Sequence, residues 1–107
     1  MKVIRTRETS GKEHNEAVRQ AFLGRTVEAC GMAEFPPGLR AHEGEEHKHE
    51  HDEVFIVLVG EITVPIAAGP TDLARAGDWV RVAAGEEHHL TNHTNLPCRC
   101  LFFILKK

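Results

Sequence analysis

The chain has 107 residues, of which 41% are hydrophobic and 27% charged, and its formal net charge is −3. This length fits a single domain, residues 1–107, and the weakly acidic balance excludes the basic surface with which proteins bind nucleic acid. No apolar segment approaches the roughly 18 residues of a membrane span, and no secretory signal opens the chain, so we expect a cytoplasmic protein without a membrane or nucleic-acid partner.

The N-terminal segment carries one weak strand signal and one helix signal. Val3 and Ile4 fit an edge strand or a strand exchanged between subunits. Residues 10–24 predict a short helix, because Ser10 and Glu13 fit a capping box and apolar side chains recur on one face. The alternative is that the end of this stretch already opens a strand.

Most of the remaining chain has the pattern of short β-strands. Runs of β-branched and apolar residues are separated by glycine, proline and asparagine at roughly the 8–12-residue spacing of all-β sandwiches and barrels. The predicted strands cover residues 26–35, 54–59, 62–66, 73–76, 79–82, 88–92 and 98–105. We therefore predict an all-β domain.

Histidine is frequent in this chain and strongly clustered. Eight histidines occur, and seven of them fall between residues 42 and 51 or between residues 88 and 93. These seven are His42, His47, His49, His51, His88, His89 and His93. Imidazole is the commonest metal ligand in proteins, so this clustering indicates a metal site.

The first cluster places two imidazoles and a carboxylate within reach of one ion. His47 and His49 are two residues apart, so on an extended chain both side chains point to the same side. A straight strand would carry Glu53 about 13 Å from His49, at about 3.3 Å per residue. A shared ion therefore requires the chain to turn at residues 50–52.

The second cluster is the expected source of a fourth ligand. Closure of a barrel would bring its strand opposite the first cluster. Alternation along that strand lets only one of His88 and His89 face inward, and position alone does not choose between them.

Two stretches of the sequence resemble the conserved motifs of the cupin superfamily. The pattern His47-x-His49-x3-Glu53-x6-Gly60, within residues 41–60, is similar to the first motif, G-x5-H-x-H-x3,4-E-x6-G. The pattern Gly77-x5-Ala83-x-Gly85-x2-His88-x3-Asn92, residues 77–92, is similar to the second, G-x5-P-x-G-x2-H-x3-N. The short interval between the motifs is typical of small single-domain bacterial cupins of the type-2 conserved barrel.

This resemblance implies a small jelly-roll β-barrel, the cupin-like double-stranded β-helix, with one divalent transition-metal ion inside. The family's ligands carry over to His47, His49, Glu53 and His88, so the resemblance selects His88 over His89. Three imidazoles and one carboxylate suit Fe, Mn, Ni, Zn, Co or Cu. The chain has Ala41 where the family has its first glycine and Ala83 where it has a proline, but neither is a ligand position.

Several functions are compatible with this resemblance. The first is a metalloenzyme acting on a small organic molecule, with a dioxygenase or related oxidoreductase favoured over an isomerase, lyase or cyclase. The alternative is a non-catalytic cupin that binds a small ligand or a metal. A general acid or base near the ion would distinguish the two, and the candidates are Glu45, Glu46, His51 and Glu86. A structural zinc site is disfavoured because the cysteines lie outside both motifs.

The outward face of the predicted strand at residues 54–59 predicts a homodimer. If Glu53 faces the ion, then Val54, Ile56 and Leu58 face outward. A row of exposed aliphatic side chains favours aggregation, so the N-terminal segment or a second subunit should cover it.

The remaining signals concern packing and the rim of the barrel. Cys98 and Cys100 share one strand face and are expected to be small buried side chains. Trp79 is expected to pack, and Asn92 to hydrogen-bond a turn. Of the rim histidines, His42, His89 and His93 are expected at the surface or at the mouth of the barrel, with the surface favoured. His51 is expected in a solvated turn, and the alternatives are a proton shuttle at the entrance or an alternative ligand.

Overall fold

A computed structural model describes residues 1–6, 15–39, 50–66, 69–86 and 89–107 of the chain. Within these ranges lie seven strands and one helix. In chain order they are β1 (Lys2–Arg5), α1 (Glu16–Phe22), β2 (Thr26–Phe35), β3 (Asp52–Val59), β4 (Glu61–Val64), β5 (Asp72–Arg75), β6 (Asp78–Val82) and β7 (Cys98–Lys106). No helix among the described residues is long and apolar enough to cross a membrane.

The strands form two antiparallel sheets. The larger sheet has the strand order β1-β6-β3-β7-β2, and the smaller one pairs β4 with β5. β3 lies at the centre of the larger sheet, between β6 and β7. Non-consecutive strands are neighbours throughout this sheet, so residues far apart in the sequence meet across it. The predicted all-β class is confirmed.

Six of the seven predicted strands from residue 26 onward are present, with ends that shift by at most two residues. The predicted strand at 88–92 is wrong for its described part, in which only Thr91 forms an isolated bridge, to Thr63. The physical reason is that the backbone of Asn92 bonds elsewhere, to Gly38 and Leu39. The hydrogen bonds of this segment are thus divided between two partners and do not form one ladder.

The helix is shorter than predicted in its described part. α1 begins at Glu16, and the side chain of Asn15 caps it by accepting the Val18 N–H at 3.1 Å. Asparagine is a strong N-cap residue because its side-chain oxygen satisfies an N–H that the helix leaves without an intrahelical acceptor. The predicted capping residues Ser10 and Glu13 lie outside the described residues.

The core lies between the two sheets. Phe55 and Val57 of β3 face it, and Cys98 and Cys100 of β7 face it from the neighbouring strand. Both thiols are free and fully buried, with their sulfur atoms 3.9 Å apart. The prediction that these cysteines are small buried side chains on one strand face is confirmed.

Helix α1 covers part of the outer face of the larger sheet. The ring of Phe22 makes edge contacts with Trp79 and Phe103, and Trp79 stacks on Phe103. Phe103 is paired with Val54, which is completely buried. The expected packing role of Trp79 is confirmed, and the N-terminal segment supplies the cover that Val54 requires.

Among the glycines that the structure describes, Gly60, between β3 and β4, has the tightest surroundings. Its φ is +88°, and a β-carbon there would lie 2.6 Å from the carbonyl oxygen of Pro97 and 3.0 Å from Cys98 Cα. Gly77 has a similar φ of +93° but open space around it. The two positions therefore separate backbone strain from steric overlap.

We predict that Gly60→Ala destabilises the domain more than Gly77→Ala. Strain from the left-handed backbone should cost about 1–2 kcal/mol in either variant, and the overlap at Gly60 should add about 1–3 kcal/mol. Urea denaturation of the two variants gives the strain cost from Gly77→Ala and the added cost of overlap from the difference between the variants. Equal losses of unfolding free energy would contradict the steric explanation.

Candidate metal centre

One of the four predicted metal ligands is described by the structure. Glu53 lies on β3, whereas His47, His49 and His88 lie outside the described residues. Among the residues that are described, no three histidine, cysteine, aspartate or glutamate side chains converge. Glu53 and the described residues that flank the three histidines therefore locate the candidate site.

Glu53 is a buried carboxylate on the inner face of the larger sheet. Its residue is 6% exposed, and its Cα pairs with Val82 of β6 and with Ile104 of β7. Burial disfavours the charged form and raises the pKa of Glu53 to about 7. A cation beside this carboxylate would offset that penalty, as expected of a metal ligand.

The chain bends immediately before β3, as the ligand spacing requires. Glu50 and His51 form this bend, and the strand begins at Asp52. His51 is half-buried, and its Nε2 lies 3.2 Å from a carboxylate oxygen of Glu28 on β2. His51 thus lies in the bend before β3, beside the carboxylate of Glu28.

The turn after β6 leads towards His88 and is held by Glu86. The Glu86 N–H donates to the Ala83 carbonyl at 3.0 Å, and one Glu86 carboxylate oxygen accepts the Ala83 N–H at 3.3 Å. The other carboxylate oxygen accepts from the amino group of Met1 at 2.7 Å. The Glu86 carboxylate therefore organises this turn, which is a different role from the acid or base considered for it.

Sequence reasoning did not identify Asp52, which joins the bend to this turn. One carboxylate oxygen accepts the Ala84 N–H at 2.8 Å, and the other accepts from Arg25 at 2.9 Å and Arg81 at 2.8 Å. Burial alone would raise the pKa of Asp52, but the hydrogen bonds from Arg81, Ala84 and Arg25 outweigh it and lower the pKa to about 2. An acidic residue within a charged run gives no sequence signal for such a junction.

Asn92, the last residue of motif two, stabilises the loop that follows. Its amide donates to the carbonyls of Phe35 and Leu96, each at 2.8 Å, and its side-chain oxygen accepts the Thr94 N–H at 2.9 Å. The predicted turn-bonding role is confirmed. Of the rim histidines, His93 is exposed and His89 half-buried, whereas His42 lies outside the described residues.

The family profile of the cupin domain matches residues 31–104. This chain belongs to the cupin family. The match includes both motifs, and with the antiparallel sheets it confirms the predicted fold of a small double-stranded β-helix. A comparison with curated protein sequences gives no significant match.

Solved structures similar to this cupin have the same fold. A Cupin 2 conserved barrel domain protein from Salinispora arenicola is 24% identical, with a TM-score of 0.60 over 77% of this chain and 67% of that one. A predicted oxalate decarboxylase from Thermotoga maritima is 25% identical, with a TM-score of 0.63 over 88% and 75%. Drosophila melanogaster CENP-C bound to CAL1 is 16% identical, with a TM-score of 0.58 over 70% and 63%.

We predict that metal-free protein loses stability as the pH rises from about 4.5 to 7. The pKa of Glu53 is raised from 4.5 to about 7 in the folded state, so folding favours its protonated form. Its contribution is fully present below pH 4.5 and is lost as the pH passes through 7, a change on the order of 3 kcal/mol. Urea denaturation of metal-free protein between pH 4.5 and 8 measures this loss.

Glu53→Gln is the matched control, because glutamine has the same shape and does not titrate. The difference in unfolding free energy between the variant and the original protein should change with pH across this window. Parallel pH curves for the two proteins would contradict the raised pKa.

Proposed function

We propose that this cupin binds one divalent transition-metal ion through His47, His49, Glu53 and His88 and acts as a metalloenzyme on a small organic molecule. The observation that carries the proposal is the buried, inward-facing carboxylate of Glu53, whose backbone pairs with Val82 at the end of β6. Motif two continues from that strand to His88, so the chain path supports a site shared by both motifs.

The donor set fits a catalytic metal better than a structural one. Three imidazoles and one carboxylate suit Fe, Mn, Ni, Zn, Co or Cu and would leave coordination positions for water or substrate. Structural zinc sites are usually closed and rich in cysteine. The free thiols of Cys98 and Cys100 pack in the core beside Val57, four residues along β3 from Glu53, and Cys30 is exposed.

A metal in this position would act as a Lewis acid and a template for a small substrate. Among the reaction classes, a dioxygenase or related oxidoreductase is favoured, and lyase or isomerase chemistry comes next. Because the chain is similar to the predicted oxalate decarboxylase, decarboxylation is also among the candidate reactions. The protein is loaded with Fe(II) and mixed with a panel of small organic acids under anaerobic conditions, and O2 is then added. Oxygen consumption distinguishes oxygenase chemistry from the other reaction classes.

The second candidate is a non-catalytic cupin that binds a small ligand or a metal. The observation in its favour is that both described acid–base candidates have other contacts, Glu86 with Met1 and His51 with Glu28. Glu45 and Glu46 lie outside the described residues. Metal-loaded protein that binds small molecules without turning any over would favour this second function.

We predict that His49→Ala and His88→Ala each reduce bound metal to less than about one tenth of the original content, because loss of one of four ligands weakens a site of this kind severely. His93→Ala is the matched control, since His93 is an exposed rim histidine, and it should keep full metal content. Elemental analysis of protein purified without chelators or metal-affinity resin gives the metal and its stoichiometry. Full metal content in both ligand variants would contradict the site.

The proposed cellular setting is the cytoplasm. Cys30, Cys98 and Cys100 are all free thiols, as expected of a protein from a reducing compartment.

We also propose that the protein is a homodimer. Helix α1 leaves part of the outer sheet face uncovered, where Met32, Leu101 and Ile56 form one row across β2, β7 and β3. Met32 is 59% exposed, and a β-bulge places the neighbouring Leu58 and Val59 at 42% and 53% exposure. We call these five residues the outer patch. A contiguous exposed apolar surface of this kind is typical of an interaction site.

The charges beside the outer patch favour a second copy of this chain as the partner. Glu34 and Arg99 lie next to it on the same face and pair at 2.9 Å, with both side chains about half exposed. A twofold axis apposes the same surface from two subunits, so a patch with one charge of each sign can be complementary to itself.

We predict that Met32→Glu raises the dimer dissociation constant at least tenfold, because it places a charge within the apolar contact. Leu96→Glu is the control, since Leu96 is 64% exposed and lies outside the patch. Sedimentation velocity at micromolar concentration measures the association, and circular dichroism checks that both variants are folded. A monomeric original protein would contradict the dimer, and a dimer insensitive to Met32→Glu would contradict this surface.

A further inference from the structure

Asp52 belongs to motif one, and its carboxylate contacts the turn of motif two at Ala84. It directly precedes Glu53 on β3, and alternation along the strand places the two side chains on opposite faces of the sheet. Glu53 faces inward, whereas Asp52 pairs with Leu105 and contacts Arg25 and Arg81 on the other face. The two adjacent carboxylates therefore have separate surroundings.

The hydrogen bond from the Ala84 N–H to the Asp52 carboxylate ties the turn after β6 to β3. The carboxylate is only 7% exposed, and it holds the Ala84 N–H at 2.8 Å, two residues beyond the Val82 that pairs with Glu53. Arg25 and Arg81 hold its other oxygen, so the carboxylate has little freedom to rotate. The position of the turn at 83–86 thus depends on the position of Asp52.

This dependence matters because a metal site tolerates little displacement. Ligand atoms lie about 2 Å from a transition-metal ion. If the separation of two ligands changes by about one ångström, one of them no longer reaches the ion. Glu53 adjoins Asp52, and His88 follows Ala84 by four residues. Gly77 and Arg81 also bond motif one, the Gly77 N–H to the Val57 carbonyl and Arg81 to Asp52, each at 2.8 Å. The Asp52–Ala84 hydrogen bond differs from these two because it reaches the turn that follows β6 and precedes His88.

We propose that Asp52 is a positioning residue, which holds the turn of motif two against β3 and so sets the separation of Glu53 and His88 that one ion requires. This role rests on the proposed metal site. It assigns to Asp52 a task beyond stabilisation of the fold. By linkage, a bond that favours metal binding must itself be strengthened when metal binds.

The first test uses the unmodified protein and Zn(II). Amide hydrogen exchange, followed by NMR, should slow at Ala84 at least threefold when Zn(II) is added. Leu73 provides an internal control, because its N–H also donates to an aspartate, Asp72, at 2.8 Å, on the smaller sheet. Its exchange should not change. Equal effects on both amides would indicate general stabilisation and would overturn the positioning role.

The second test compares Asp52→Asn with Asp72→Asn. Asparagine keeps the shape of the side chain, but its NH2 group must face either Ala84 or the two arginines, so one link is lost. Asp52→Asn should weaken Co(II) binding about tenfold or more, as loss of a supporting group around a metal site does, and should alter the Co(II) absorption spectrum. Asp72, which also accepts from an arginine and a backbone N–H, should tolerate the change with its Co(II) affinity and spectrum intact.

The outcomes separate this role from the metal site itself. Protein that binds neither Zn(II) nor Co(II) overturns both proposals. Stoichiometric binding with unchanged Ala84 exchange, or with the original spectrum and affinity in folded Asp52→Asn, overturns the positioning role alone. If Asp52→Asn does not fold, the exchange measurement on the unmodified protein decides.

Discussion

Burial of β3 on both of its faces is the constraint on which the rest of the structure depends. Val54 on the outer face and Val57 on the inner face are both completely buried, and full burial of such a side chain stabilises a fold by about 1.5–3 kcal/mol. The inner face is covered by the smaller sheet and the outer face, near Val54, by α1. A one-residue slip of β3 would exchange the two faces and turn Glu53 outward. It would also remove Asp52 from Arg25 and Arg81, so these contacts favour the observed register.

The same constraint creates two unlike carboxylates at adjacent positions. Glu53 faces the apolar interior, where burial raises its pKa to about 7. Asp52 faces outward, where burial is outweighed by two arginines and a backbone N–H, and its pKa falls to about 2. Neighbouring titratable groups with opposite pKa shifts are common at functional sites. Here the strand separates a ligand-like carboxylate from one that organises the backbone.

The outer face links stability to association. Phe22 covers one half of it, with Trp79 and Phe103 beneath the helix. The β-bulge between Val57 and Val59 turns two apolar side chains outward in the other half. An uncovered apolar surface is unfavourable in water, so the incomplete cover and the proposed subunit contact have the same physical origin.

The sequence by itself determined the fold class, six of the seven predicted strands from residue 26 onward, and the candidate ligands. Strands such as β3 and β7 follow from local alternation and from turn residues, and the two histidine motifs are specific to the family. The predicted metal site also requires Glu53 to face inward. These properties depend on neighbours in the chain, which a sequence displays directly.

Only the tertiary structure decided which distant residues share a partner. The Asp52 junction brings together Arg25, which precedes β2, Arg81 of β6 and the Ala84 N–H of the following turn. The backbone of Asn92 pairs with Gly38 and Leu39 in place of a regular strand. Glu86 stabilises its own turn through Ala83, and its second carboxylate oxygen accepts from Met1, which is distant in the sequence. Such contacts depend on the order of strands in the sheet, and hydrophobic periodicity contains no information on that order.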